Sequence, residues 1–191
     1  MKQTPVRNLT LSAFFIALGL VLPLLTGQIQ QIGEVLLPMH IPVFLCGLIC
    51  GWKYGLGVGF VLPLMRSGIF GMPPIYPIAV SMTFELAAYG AIAGFLYGKS
   101  RWQCLIALYR SMIAAMLAGR AVWGVAMALM LGFGGPGFTW GAFLAGAFVE
   151  AIPGIIVQLI LVPAIMLALN RTGLVKFRRK QNEEPGAAAD V

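Results

Sequence analysis

Three ionisable residues, Glu85, Arg120 and Glu150, lie inside long apolar runs of this 191-residue chain. Each is about eleven residues from the nearest loop rich in Gly or Pro, or roughly 16 Å at the rise of an α-helix. Charges at this depth in a membrane are costly and usually line the path of a substrate or ion. A guanidinium binds carboxylate or phosphate, and carboxylates accept hydrogen bonds from hydroxyl and amide groups. The three positions predict a polar chamber that binds a small molecule.

Neighbouring residues extend this chamber. Tyr89 follows Glu85 by one helical turn, so both side chains can reach the same volume. Trp123 follows Arg120 by about one turn and offers a ring that stacks on a ligand. Arg120 has a structural alternative, an ion pair with Glu85 or Glu150, because a paired charge is easier to bury than a lone one. The residues themselves leave both roles open.

Two further residues are predicted at the mouth of the chamber. Arg66 borders a Gly/Pro-rich stretch over 66–74, which is either a ligand-clamping loop, the favoured interpretation, or a simple turn between helices. Arg66 is also the cation that would balance a second acid. His40, the single histidine, has no Cys or acidic partner at ligand spacing, so no metal site is predicted. It is expected to cap a helix or to gate the mouth. Gln158, two turns after Glu150, is expected to extend the polar lining.

The composition is that of a membrane protein. The chain is 60% hydrophobic and 10% charged with a mean hydropathy of +0.91, whereas soluble domains are roughly half apolar and a quarter charged. It has room for about six spans. We expect one membrane domain over 9–172, a basic N-terminus over 1–8, and a basic, then disordered tail over 173–191. The net charge is +7, and the basic residues lie beside the apolar runs. This position favours a role in setting membrane topology and in contacting anionic lipid over nucleic-acid binding.

The predicted fold class is an all-α membrane protein, a six-transmembrane-helix bundle with both termini cytoplasmic. Lys and Arg lie at the two termini and in alternate loops, which is the pattern expected of the cytoplasmic side. The polar stretch 26–34 is predicted to be an external loop, where Gln28, Gln30 and Gln31 would form either a lid or a solvated surface. Pro153 and Pro163 are expected to bend the last helix. The predicted helices cover 9–25, two short segments at 36–51 and 55–65 with a turn at Lys53, then 78–97, 104–131 and 141–169.

Three stretches match the pattern of a known family. They are Ala13-Phe14-Phe15-Ile16-Ala17, of the form AxxxA; 37–43 (LPMHIPV) with 51–55 (GWKYG); and 66–74 (RSGIFGMPP) with 84–90 (FELAAYG). Over residues 8–172 the chain resembles the S component, the substrate-binding membrane subunit, of energy-coupling factor (ECF) vitamin transporters. The AxxxA pattern is common on packed membrane helices. The middle stretches are the more distinctive part.

This resemblance implies a multi-pass protein of the bacterial plasma membrane that binds a vitamin or precursor from outside. It implies association with a transmembrane coupling protein and two cytoplasmic ATPases, with Ala13 and Ala17 docking to the coupling protein or packing within the bundle. ATP hydrolysis is expected in the partners, because the chain has no glycine-rich phosphate loop followed by Lys and Ser or Thr. No cofactor is expected. The mixture of arginines and acids favours a small polar acid such as pantothenate.

Two other classes are weighed against this interpretation. An intramembrane enzyme would use Glu85, Glu150 and His40, but the sequence has no metal motif, nucleophile elbow or paired aspartates. An autonomous ion-coupled carrier or channel normally shows an internal repeat, and the two halves of this chain show none. Dependence on ATP and on partner proteins separates the capture subunit from a carrier, and substrate turnover would indicate an enzyme.

Overall fold

The computed structural model describes residues 5–25, 38–100, 102–131 and 152–172. An all-α architecture is confirmed for these segments. Glu150 and the predicted lid glutamines lie outside the described residues. The helices are α1 (Pro5–Leu25), α2 (His40–Cys50), α3 (Trp52–Phe70), a wide π-helical turn (Ile75–Ala79), α4 (Val80–Lys99), α5 (Leu105–Leu131) and α6 (Ile152–Arg171).

The boundary between α2 and α3 differs from the prediction. The turn lies at Gly51, whose φ of 97° suits glycine, and Lys53 already belongs to the first turn of α3. The prediction of a turn at Lys53 was therefore wrong by two positions. A single glycine with positive φ reverses the chain here, and the aromatic and basic residues that follow it continue as a helix.

The predicted loop starting at Arg66 was also wrong at its beginning. α3 continues through Arg66 and ends only at Gly71, whose left-handed conformation (φ 69°) caps the helix with an N–H bond to the Ser67 carbonyl. Gly68 is accommodated inside the helix, whereas Pro73 and Pro74 lie beyond its end. Arg66 is thus held on a helix. The irregular part of the link, together with the π-helical turn, covers 71–79, called the α3–α4 connection below.

Glycines allow three helix backbones to touch at the centre of the bundle. A Cβ atom at Gly90 of α4 would collide with the backbone of Gly55 of α3, and one at Gly47 of α2 would collide with the Gly90 carbonyl. Such close approach replaces side-chain interdigitation by backbone packing, as is common between membrane helices. α4 consequently packs against α2, α3 and α5, and is the central helix of the described part.

Two contacts establish which helix ends lie together. The Asn8 amide donates to the Cys50 carbonyl (3.4 Å), so the start of α1 lies beside the end of α2. A Cβ atom at Gly94 would lie 2.8 Å from the backbone nitrogen of Trp52, which places the last turns of α4 beside the start of α3. This end of the bundle, called the basic end, carries Arg7, Lys53 and Lys99.

Four helices of the described segments are long and apolar enough to cross a membrane. They cover Pro5–Leu24, Ile75–Lys99, Leu105–Met130 and Ile152–Arg171. Large apolar side chains such as Leu129, Ile106 and Ile160 face outward from the bundle, which suits contact with lipid. The protein is therefore a multi-pass membrane protein.

Candidate functional site

Three of the predicted site residues meet between α4 and α5. Arg120 Nη1 lies 3.3 Å from Glu85 Oε1, and the Tyr89 hydroxyl donates to the same oxygen at 2.8 Å. Glu85 and Tyr89 are each 2% exposed and Arg120 is 8% exposed. Because Glu85 and Tyr89 are one turn apart on α4, the Tyr89 hydroxyl reaches the carboxylate of Glu85. The oxygen that accepts this bond also meets Arg120 of α5. We call these three residues the buried triad.

The aromatic ring of Tyr89 is fixed from two sides. Phe44 of α2 stacks on it with ring centroids 5.2 Å apart and planes at 22°, and the His40 ring lies 5.4 Å away. From α5, a Cβ atom at Gly119 would collide with the Tyr89 ring. His40 therefore contributes to the surroundings of the triad from the first turn of α2. Phe44 was missed by sequence reasoning, although its position one turn after His40 puts both on one helix face.

The remaining predicted residues lie on other turns of the helices or outside the described segments. Arg66 is half-buried near the end of α3, away from the basic end, and its Nη1 has no hydrogen-bond partner within the described contacts. Trp123 is half-buried on α5, about one turn beyond Arg120. Within the described segments, Glu85–Arg120 is the one ion pair given by the structure. Whether Glu150 joins it lies outside the described residues.

The α3–α4 connection is hydrogen-bonded to α3 and to α5. Ser67 of α3 donates to the Pro73 carbonyl, and the Tyr76 hydroxyl donates to the Met130 carbonyl near the end of α5, each at 2.6 Å. The Ser81 hydroxyl lies 3.8 Å from the Met130 sulfur. Tyr76 is 62% exposed, as suits an aromatic side chain at the membrane–water interface. Its bond to residue 130 has no signature in the sequence, because the partner is a backbone carbonyl.

The small-residue strip of α1 lies on the outer surface of the bundle. Ala13 and Ala17 are both exposed, and Phe14 beside them is 58% exposed. The opposite face of α1 packs inward through Ser12 and Phe15, against α2 and α3. The two alanines are therefore available to a protein outside the described bundle, and their small side chains permit close approach of another helix.

Charged groups buried inside a membrane-embedded helical bundle usually mark a functional site on the path of a substrate or ion. The sequence model of the family described as ECF transporter, substrate-specific component, matches residues 7–166. The chain belongs to this family, and it is an integral membrane transport subunit rather than an enzyme. Neither a curated protein nor a solved structure gives a match to the chain.

Proposed function

We propose that this chain captures a small, water-soluble vitamin or vitamin precursor with an acidic group outside the cell. Membership of the family of ECF substrate-specific components supports the role of a capture subunit. The observation that supports an acidic ligand is the buried Arg120, because a guanidinium holds a carboxylate or phosphate through paired hydrogen bonds. A pantothenate-like acid is favoured, since its hydroxyl and amide groups suit carboxylate acceptors.

In this proposal the charged residues contact different groups of the ligand. Arg120 and Arg66 hold the acidic group, while Glu85 and Glu150 accept hydrogen bonds from its hydroxyl or amide groups. Tyr89, Trp123 and His40 surround the less polar part. The ligand's carboxylate would compete with Glu85 for Arg120. In the empty protein, Glu85 therefore occupies the place of the ligand's anionic group. An exclusively structural Glu85–Arg120 pair is the alternative that the experiment must separate.

The proposed topology has six membrane spans with both termini in the cytoplasm. The basic end then faces the cytoplasm, in agreement with the distribution of Lys and Arg. Ala13 and Ala17 dock against the coupling protein of an ECF module, whose two cytoplasmic ATPases drive release and uptake. The lipid bilayer surrounds the remaining surface, and no cofactor, metal or nucleic acid takes part.

The test is mass spectrometry of small molecules carried by the protein purified from native membranes. We would compare it with the double variant Glu85→Gln/Arg120→Gln, which removes both charges together and leaves neither alone in the core. Arg110→Ala, an exposed arginine on the same helix, is the matched control. We expect one vitamin in the native and control proteins and its loss from the folded double variant.

Other outcomes would change the proposal in different ways. Retention of the vitamin in the double variant would keep the capture role and reduce the pair to a structural contact. Uptake into vesicles that contain this chain alone, without ATP or partner proteins, would contradict the role of capture subunit and favour an autonomous carrier.

A further inference from the structure

A buried glutamine of α6 completes the polar interior. Gln158 is 1% exposed, and it lies on the inward face of α6 with Gly154, Val162 and Met166, which recur every four residues. α6 packs against α2 and α5, the helices that carry His40 and Arg120. Gln158 is therefore directed into the same bundle interior as the buried triad.

The height of Gln158 agrees with this placement. In the topology of the proposed function, on which this inference rests, α6 runs towards the basic end. Glu85, Arg120 and Gln158 then lie roughly 20–22 Å from the ends of α4, α5 and α6 on that side, at 1.5 Å per residue. Val162 and Met166 also share one hydrophobic core with Leu108 and Met112 of α5. The parts of α5 and α6 nearer the basic end thus belong to one core.

Two buried donors, one on Arg120 and one on Gln158, have no acceptor within the part of the chain that the structure describes. Arg120 Nε and Gln158 Nε2 are both buried, and neither has a hydrogen-bond partner in the structure. Buried polar groups are almost always paired, so each exception points to an absent partner. Because both atoms are N–H groups, the absent partner is an acceptor, and the positive charge of Arg120 favours an anion.

We propose that Gln158 is a specificity-determining residue that binds the anionic group of the substrate together with Arg120. Arg120 Nε and one Gln158 N–H donate to the two oxygens of a carboxylate, and Glu85 remains anchored by Tyr89. A neutral analogue with a hydroxyl or amide in place of the carboxylate would offer these donors one acceptor oxygen fewer and no negative charge. Gln158 therefore discriminates acids from their neutral analogues, a role separate from general affinity.

The experiment measures binding of acid and neutral pairs to the purified full chain by isothermal titration calorimetry. The probes are pantothenate with panthenol, and nicotinate with nicotinamide. The variants are Gln158→Leu, which keeps an apolar side chain of similar size, and Gln103→Leu, a half-buried glutamine between α4 and α5. We expect the native protein to favour one acid over its neutral partner. Gln158→Leu should weaken that acid about tenfold or more while changing the neutral partner little.

Gln158→Glu supplies the missing acceptor from within the protein. Its carboxylate would occupy Arg120 in place of the ligand's carboxylate, so we expect weaker binding of the acid while binding of the neutral partner changes little. A residue that only packs would affect the acid and its neutral partner alike.

The outcomes separate this inference from the proposed function. If the native protein binds the acid and Gln158→Leu leaves the acid preference intact, the role of Gln158 is overturned while capture of an acid stands. Equal weakening of acid and neutral probes would likewise overturn the role in specificity. If the native protein binds no acid of either pair, capture of such small acids is contradicted, and the inference falls with it.

Discussion

Glu85 and Arg120 form an ion pair across the interface of α4 and α5, with 3.3 Å between Oε1 and Nη1. Both side chains are removed from water and from lipid. The carboxylate oxygen that receives the guanidinium also receives the Tyr89 hydroxyl, so one atom links two charged groups and an aromatic ring. Changes at any of the three residues should therefore affect the other two.

We expect single and double substitutions of this pair to differ sharply. Glu85→Gln leaves a guanidinium that cannot lose its proton, whereas Arg120→Gln leaves a carboxyl that can gain one. Breaking a buried pair costs about 3–5 kcal/mol, so Glu85→Gln should lower stability most and Arg120→Gln less. The double variant should recover part of the loss. Thermal unfolding in detergent measures all three, and strictly additive effects would show that the residues act independently.

Gly59 and Gly57, two positions apart on α3, form a matched pair. A Cβ atom at Gly59 would collide with the Leu86 carbonyl and lie 2.7 Å from the Ala87 nitrogen, whereas one at Gly57 meets nothing within 4 Å. Gly59→Ala should cost about 1–3 kcal/mol through forced separation of α3 and α4. Gly57→Ala should be neutral or slightly stabilising. Equal melting temperatures for the two variants would contradict the close approach of these helices.

The bond from Tyr76 to the Met130 carbonyl should restrain the α3–α4 connection. Tyr76→Phe removes one hydrogen bond, worth about 0.5–1.5 kcal/mol, and should raise amide hydrogen exchange in this connection. Ligand release should become faster by about two- to tenfold on the same basis. Tyr109→Phe, an exposed tyrosine of α5, is the control. Unchanged exchange in Tyr76→Phe would mean that this bond does not hold the segment.

Enlarging the exposed strip of α1 should block docking without affecting capture. Leucine at Ala13 or Ala17 would hold a partner helix away from α1, because close approach requires small residues. We expect co-purification with the coupling protein and ATPases to fall while ligand binding persists. Ala164→Leu, an exposed alanine on α6, should retain the partners. Loss of ligand binding in Ala13→Leu would indicate that the strip packs within the bundle instead.

Much of the helical framework was predictable because it depends on local hydrophobic runs. The fifth helix, predicted over 104–131, is observed as Leu105–Leu131, and the ion pair between Glu85 and Arg120 was one of two alternatives for Arg120. Burial of isolated charges in apolar helices leaves few options, since each needs a partner. Hydropathy was sufficient for the helix, whereas the spacing of charged residues only limited the partners of Arg120 to a ligand or an acidic side chain.

The remaining features depend on contacts between distant residues or on single backbone angles. Gly51 reverses the chain through one positive φ angle, while the similar glycines at 57 and 59 stay helical. Tyr76 bonds a backbone carbonyl fifty-four positions away, which no side-chain pattern can reveal. Gln158 shows its importance only when donors and acceptors are counted in three dimensions. The binding roles of the site residues stay predictions.

The glycine contacts among α2, α3 and α4 have a mechanical consequence. Backbones that touch at Gly47, Gly55 and Gly90 leave no room for sliding, so these helices should act as a fixed frame. A rearrangement of the helices that opens the bundle interior should then displace α5 and α6 against that frame. Glu85 stands on the frame and Arg120 on the displaced part. Opening would separate the two charges, and Arg120, freed from Glu85, would then meet the incoming anion.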